Sequence, residues 1–464
     1  MWDNEGDEKR MINGNKDVFS KCKEFNEPKQ VQDLGLYPYF RTIEATLGNQ
    51  VICGGRRKIM IGSNNYLGLA NDERVLEAAQ AAVRKYGSGC TGSRFLNGNI
   101  RLHEQLEEEL ANYLQREAVL LFSTGFFVNQ GALTALLEEG DFILCDRENH
   151  ASIIDGCRMS AAKTVPFAHN SPESLRRRLS RLPADSGKLV IVDGVFSMSG
   201  DIIDLPGIFK VAQEFGARVY VDEAHSLGVL GPNGEGTAHH FGMNAEVDLV
   251  MGTFSKSLGS MGGFLAGPRY VLDYLKHKAR CFIFTASLAP AVAGGVLKAL
   301  QIIRSEPELR ENLWRNTRKM HEGFRSMGFH IGTTQTPIVP LLIGSEMKAF
   351  LFSHKLFEAG IFTTPAVYPA VRYGEAIVRT SYMASHTEQE LDYVLETCQR
   401  VGKELGIFQD AAYTGENSRK LKNGYDLTLP GSTSADALRT DSGKDSSAGS
   451  VLHTAVPGQH FQNF

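Results

Sequence analysis

Lys256 stands in the run Gly252-Thr253-Phe254-Ser255-Lys256-Ser257-Leu258-Gly259. The residues before it, Val247 to Met251, are apolar apart from Asp248 and read as a strand. A lysine at the mouth of a buried strand is costly unless its amine is neutralised or covalently bonded. The chemistry that wants such an amine is a Schiff base, formed when a desolvated amine attacks an aldehyde. Thr253 and Ser255 add hydroxyls that suit a phosphate. Taken alone, a single lysine is more often a solvated surface residue.

What lies upstream gives the lysine its meaning. Ala217 to Val221 is a β-branched run that ends in Asp222, and His225 follows three residues later. A carboxylate at the carboxyl end of a parallel strand faces the ligand crevice of an open α/β sheet. Pyridoxal phosphate needs such an acid against its pyridine nitrogen, to keep the ring protonated as an electron sink.

The elements that must position these groups alternate along the chain. Lys58–Gly62 reads as a strand and leads into Ser63-Asn64-Asn65-Tyr66-Leu67-Gly68, a turn composition that leaves side-chain amides free. Asp72 to Tyr86 has apolar residues at helical spacing. Gly87, Gly89 and Gly92 then precede Arg94, a loop whose backbone can approach a ligand. Ala118–Phe122 is a strand, followed by a glycine turn and a helix start at Gly125. That is either an anion site, with the phosphate on Gly125 and Phe126, or a tight turn without ligand. Asp141–Asp146 and Lys188–Val192 are further strands; His150 follows the first, and Asp193 and Ser197 follow the second. His150 is either a ring stacked on the pyridine face or a satisfied core histidine, and Ser197 is read as a polar contact to the cofactor edge. Pro290 to Ser326 is helical in pattern. Arg379 follows an apolar run, and its guanidinium fork suits a carboxylate; the plainer alternative is an arginine at a strand edge. The last helix opens with Thr387 as N-cap.

The 464 residues, 42% hydrophobic, are ordinary for a large α/β enzyme. A net charge of −4 gives no support to a nucleic-acid partner. Seven cysteines without a CxxC pair point to a reducing cytoplasm, with no disulfide framework and no metal site. The first ten residues lack an apolar run, so no secretory leader is expected. The longest apolar stretch, Leu288 to Ile303, is interrupted by Lys298 and falls short of a membrane span. The organisation expected is an N-terminal arm and segment over 1–59, a large cofactor-binding domain over 60–300, a small C-terminal domain over 301–408, and a disordered tail over 409–464.

Residues 221–236 (VDEAHSLGVLGPNGEG) followed by 252–264 (GTFSKSLGSMGGF) resemble the α-oxoamine synthases. These are fold-type I pyridoxal phosphate enzymes that join an amino acid to an acyl thioester with loss of carbon dioxide. The resemblance runs from about Gly35 to about Gly406, and implies a large, mostly parallel-sheet domain with a smaller C-terminal α/β domain. Residues 35–41 (GLYPYFR), 92–98 (GSRFLNG) and 193–201 (DGVFSMSGD) are most similar to the serine palmitoyltransferase branch. L-serine and a long-chain acyl thioester are then the expected substrates, delivered by coenzyme A or a carrier protein; another amino acid or acyl chain is the alternative. The aromatic 35–41 segment either packs on the protein's own core or edges the acyl channel.

The resemblance also assigns roles. Lys256 carries the cofactor and, once freed, removes the Cα proton. Asp222 pairs with the ring nitrogen, His150 covers the ring face, and His225 bonds the 3′-oxygen or the incoming carbonyl. Asn65 and Arg379 hold the substrate carboxylate. Thr285 reaches the phosphate of a second subunit's cofactor, which implies a homodimer with shared sites. Asp193 departs from the pattern, where glutamate is usual. A silent subunit is disfavoured because Lys256 is retained, and a regulator because neither terminus resembles a DNA-binding segment. The expected location is the cytoplasm, with peripheral contact at the inner membrane.

Overall fold

The computed structural model describes residues 18–410. Most of the expected tail, and the first part of the N-terminal arm, lie outside the described residues. The chain forms two compact units. One takes the described residues up to Asp72, Met198–Gly200, and those from Glu308 onward; the other takes Glu73–Ser197 and Asp201–Pro307.

In the first unit, the short helices Ser20–Lys23 and Glu27–Asp33 precede a meander of β1 (Ala45–Leu47), β2 (Gln50–Cys53) and β3 (Arg56–Met60). Gly48, at a φ of +63°, turns β1 back onto β2, a conformation glycine adopts without Cβ strain.

The second unit is built on seven strands. They are β4 (Ala118–Phe122), β5 (Phe142–Asp146), β6 (Lys163–Phe167), β7 (Lys188–Asp193), β8 (Arg218–Asp222), β9 (Leu249–Thr253) and β10 (Gly263–Gly267). Their order across the sheet is β4-β10-β9-β8-β7-β5-β6. β5 to β9 pair in parallel, and only β10 runs antiparallel, between β4 and β9. The central strands are buried throughout, as expected of a largely parallel sheet: every residue of β7, β9 and β10 is buried, with Lys188, Asp193 and Thr253 at strand ends the polar exceptions. One core cluster gathers Leu120, Ile143, Ile191, Tyr220, Met251 and Leu265 from six strands. Each such aliphatic side chain contributes about 1.5–3 kcal/mol when withdrawn from water.

The strands expected from the sequence are present with shifted ends. The one read as Val247–Met251 is observed as β9, so the buried backbone runs on to Thr253 and stops three residues before Lys256. β6 was not anticipated: Pro166 within it argues against a central strand, and the sheet indeed places it at an edge. The helical run from Pro290 is two helices, Pro290–Ser305 and Pro307–Ser326, broken where Pro307 withholds an N–H.

The first unit resumes with β11 (Ile338–Gly344), β12 (Ile361–Phe362), β13 (Thr364–Ala366) and β14 (Ala376–Ser381). β12 joins β3 in parallel, and β14 lies between β11 and β13. The helices Pro307–Ser326, Glu346–Glu358 and Glu388–Glu404 cover a core that includes Phe324, Val339, Phe352, Val378 and Leu391. Thr387 caps the last helix in a reciprocal box with Glu390, as its sequence predicts.

Candidate active site

The carboxyl ends of the parallel strands open into a cavity of about 340 Å³. Its walls come from the residues just after β4 (Thr124, Gly125, Phe126), β5 (His150, Ser152), β7 (Asp193), β8 (Asp222, His225) and β9 (Thr253, Ser255, Lys256). Because β10 is antiparallel, its first residue lies at the same end, and Met261 and Gly262 complete the wall.

On one side the helix Gly125–Leu136 begins. Thr124 caps it by accepting the Phe127 N–H at 3.1 Å, which leaves the turn's first N–H groups directed at the cavity with the positive end of the helix dipole. Gly125 is required for closeness: a Cβ there would lie 2.8 Å from Thr253 Oγ1. Thr253 and Ser255 place their hydroxyls 3.0 Å apart beside it. Thr253 Oγ1 donates to the Gly262 carbonyl at 2.9 Å, so two backbone N–H groups and the Ser255 hydroxyl are the donors that could hold a phosphate here.

Asp222 ends β8, 2% exposed. Its Oδ1 accepts the Ala224 N–H at 2.9 Å and its Oδ2 accepts the Asn129 amide at 2.8 Å. Beside it in register stands Asp193, whose Oδ2 accepts the His150 N–H at 2.9 Å. Burial, and after it the adjacent Asp222 carboxylate, push Asp193 well above the usual carboxylate range. His150 sits at the rim, its ring 6.5 Å from that of Phe126 and inclined by 74°. Surrounding protein desolvates the imidazole and lowers its pKa; Asp222 opposes this and Lys256 adds to it, leaving it below its ordinary value. Lys256 is half-buried and His225 buried, both on the cavity wall.

The structure therefore brings together Gly125, Phe126, His150, Asp222, His225, Thr253, Ser255 and Lys256. Ser197 is half-buried and does not line this cavity. Thr285 lines a separate one of about 10 Å³ with Arg94 and Cys281. Asn65 and Arg379 belong to the other unit. There Arg379 donates to Asn64 Oδ1 at 2.8 Å, while Asn65 Oδ1 accepts the Ala70 N–H at 3.3 Å. Sequence reasoning gave no role to Thr124, Asn129, Ser152 or Tyr220. Of these only Thr124 carried a signal, a hydroxyl directly before a helix start.

The donor set fits pyridoxal phosphate: a phosphate cradle, an amine and an acid share one cavity of ligand size. Among the described residues no three ligating side chains gather to hold a metal, and no helix is long and apolar enough to cross a membrane.

Comparison with known proteins agrees with this geometry. The family model for class I and II aminotransferases matches residues 56–397. A serine palmitoyltransferase of Sphingobacterium spiritivorum is 48% identical over 387 residues, which span 83% of this chain and 97% of the relative. An 8-amino-7-oxononanoate synthase of Thermoanaerobacter pseudethanolicus is 42% identical over 380 residues, 82% of this chain and 96% of the relative. A high-resolution structure of SPT with its PLP internal aldimine superposes with a TM-score of 0.83 at 36% identity, covering 84% of this chain and all of that one.

Proposed function

From the premise that the chain belongs to the class I and II aminotransferase family, as a pyridoxal phosphate-dependent acyltransferase of the α-oxoamine synthase type, we propose its reaction. L-serine and a palmitoyl thioester condense to 3-ketosphinganine: a bond forms between the serine Cα and the thioester carbonyl, the thiol leaves, and the serine carboxylate departs as carbon dioxide. This is the entry step of sphingolipid synthesis. The observation that carries the reading is the placing of Lys256 and Asp222 in one cavity beside a phosphate cradle.

The cofactor, when bound, supplies an electron sink for the charge that develops at Cα. Lys256 would hold the cofactor's aldehyde carbon, and its freed amine would take the Cα proton and later return one. Asp222, fixed by two donors, keeps the ring nitrogen protonated. Gly125, Phe126, Thr253 and Ser255 bind the phosphate. His150 covers the ring in its neutral form, and His225 donates to the 3′-oxygen or to the incoming carbonyl. Ser197 is assigned to the cofactor edge. Arg379, oriented by Asn64, is assigned with Asn65 to the amino acid's carboxylate.

A homodimer belongs to the same proposal, with Thr285 serving the phosphate of the other subunit. Supporting it, the neighbouring Phe284 is 74% exposed and Leu96 is 76% exposed, apolar surface that a second subunit would cover. The seven free thiols support a reducing, cytoplasmic location; contact with the inner membrane would follow from the long acyl product.

The test is a matrix of amino acids against acyl thioesters with product masses measured. Serine with palmitoyl thioester is expected to be the best pair. The match to an oxononanoate synthase favours a second reading, another amino acid with another acyl thioester, and a faster product from such a pair would replace the first.

A further inference from the structure

Beneath the cavity, three hydrogen bonds meet on one side chain. Asn129, fully buried on the helix Gly125–Leu136, accepts the Tyr220 hydroxyl at 2.8 Å on Oδ1. Its two amide hydrogens go to different places: one to Asp222 Oδ2 at 2.8 Å, the other to Ser152 Oγ at 2.9 Å. Ser152 Oγ in turn lies 2.8 Å from His150 Nδ1, and the Ser152 N–H points at the same nitrogen at 3.2 Å.

The Ser152 backbone N–H can only donate, which favours His150 Nδ1 as the acceptor and the ring proton on Nε2; the hydroxyl, nearer at 2.8 Å, strengthens that preference by sharing the same lone pair. The Ser152 hydroxyl, accepting from Asn129, gives its own proton to Nδ1. The amide cannot be reversed, since that would set its oxygen against the Asp222 carboxylate. Asp193, Lys256, Tyr220 and His225 also face this pair.

We propose that Asn129 is a positioning residue that couples the two groups flanking the cofactor ring, directing the Asp222 carboxylate and, through Ser152, fixing the tautomer and angle of His150. Neither Asn129 nor Ser152 touches the cofactor in this scheme. The inference rests on the roles given above to Asp222 and His150.

The test uses the full chain with Asn129→Asp, which keeps the side chain's shape and an acceptor for Tyr220 but leaves at most one donated bond, from a protonated carboxyl, and with Ser152→Ala, which removes the nearer, hydroxyl donor to His150 and keeps the 3.2 Å backbone N–H. Nitrogen-15 NMR of the cofactor-free protein reads the His150 tautomer, and equilibrium dialysis reads pyridoxal phosphate affinity. In Asn129→Asp the Nε2–H tautomer should lose its dominance, and affinity should fall about tenfold to a hundredfold, the weight of a hydrogen bond to a charged group. Ser152→Ala should shift the tautomer while lowering affinity less. Wild-type tautomer and affinity in both variants, with only a lower melting temperature, would reduce Asn129 to a packing residue and overturn the proposal. Should Asn129→Asp not fold, an unchanged tautomer in Ser152→Ala overturns it alone. Asp222→Asn and His150→Ala run in parallel: if neither weakens cofactor binding, the site assignment fails and takes this inference with it. If they do and Asn129→Asp does not, only the inference fails.

Discussion

Replacing His169 by glutamine should destabilise the larger unit at neutral pH and do so less and less as the solution becomes alkaline. His169 Nδ1 lies 3.1 Å from Asp146 Oδ1, and Nε2 lies 3.6 Å from Asp201 Oδ2 and 3.7 Å from Glu148 Oε2. Its ring meets Phe196 edge-on at 4.3 Å. Burial by itself would lower the imidazole pKa; bonding to Asp146, with the pull of Asp201 and Glu148, outweighs this and raises it from 6.5 to about 10. A group that holds its proton more tightly when folded stabilises the fold. The contribution is whole below pH 6.5, the unfolded value, and is lost as pH rises through about 10. At 1.36 kcal/mol per tenfold, that interval sets a ceiling of about 5 kcal/mol. The side chain remains 21% exposed, so solvent screens part of it; about 2–3 kcal/mol is the expected loss. For a unit of this size that is about 5–10 °C in melting temperature. Calorimetry of wild type and His169→Gln should show this gap near pH 6 and its closure at about pH 10. An equal gap at both, or an NMR titration of His169 centred near 6.5, would refute the reasoning.

Other expectations concern the site and the fold. Lys256→Ala should abolish the yellow absorption band that appears when the protein is loaded with pyridoxal phosphate; an undiminished band defeats the lysine assignment. Gly125→Ala forces a methyl to within 2.8 Å of Thr253 Oγ1 and should weaken cofactor binding about tenfold, measured by dialysis, through overpacking of the phosphate cradle. Thr387→Ala removes a cap from a 17-residue helix and should lower stability by about 1 kcal/mol in urea denaturation, with cofactor affinity unchanged.

The site could be read from the sequence where its residues interrupt a pattern. Asp222 is the last residue of an apolar strand, Lys256 stands three residues past β9 and His150 four past β5. Such positions draw notice because a charge or an imidazole at the end of a buried strand needs a partner, whether a ligand or, as for Asp146 with His169, another side chain. Asn129 and Ser152 sit inside helices, where a lone polar residue looks like any solvated position. Their partners Asp222 and His150 are distant in the chain and adjacent only after the sheet forms. β3 is legible in the sequence as Lys58–Gly62, but the two strands before it escaped notice; β1 is exposed along its length and carries no alternation. β6 was masked by its proline, a residue that a sheet's edge tolerates. The cavity gathers its eight predicted residues because parallel strands all end on one side, a consequence of topology that single motifs do not express.

The loop bearing Lys256 is pinned at both ends. Thr253 pairs with Gly263 across the sheet, Phe254 donates to the Gly262 carbonyl at 3.0 Å, and Ser260 returns a bond to Phe254 at 2.8 Å. A hairpin staple of this kind allows its tip little excursion. In the roles proposed for it, the lysine would move by turning about its own side-chain bonds, while these contacts hold the peptide that carries it. In that scheme its reach would be set by side-chain length alone, and shortening the amine would reduce it without disturbing the backbone.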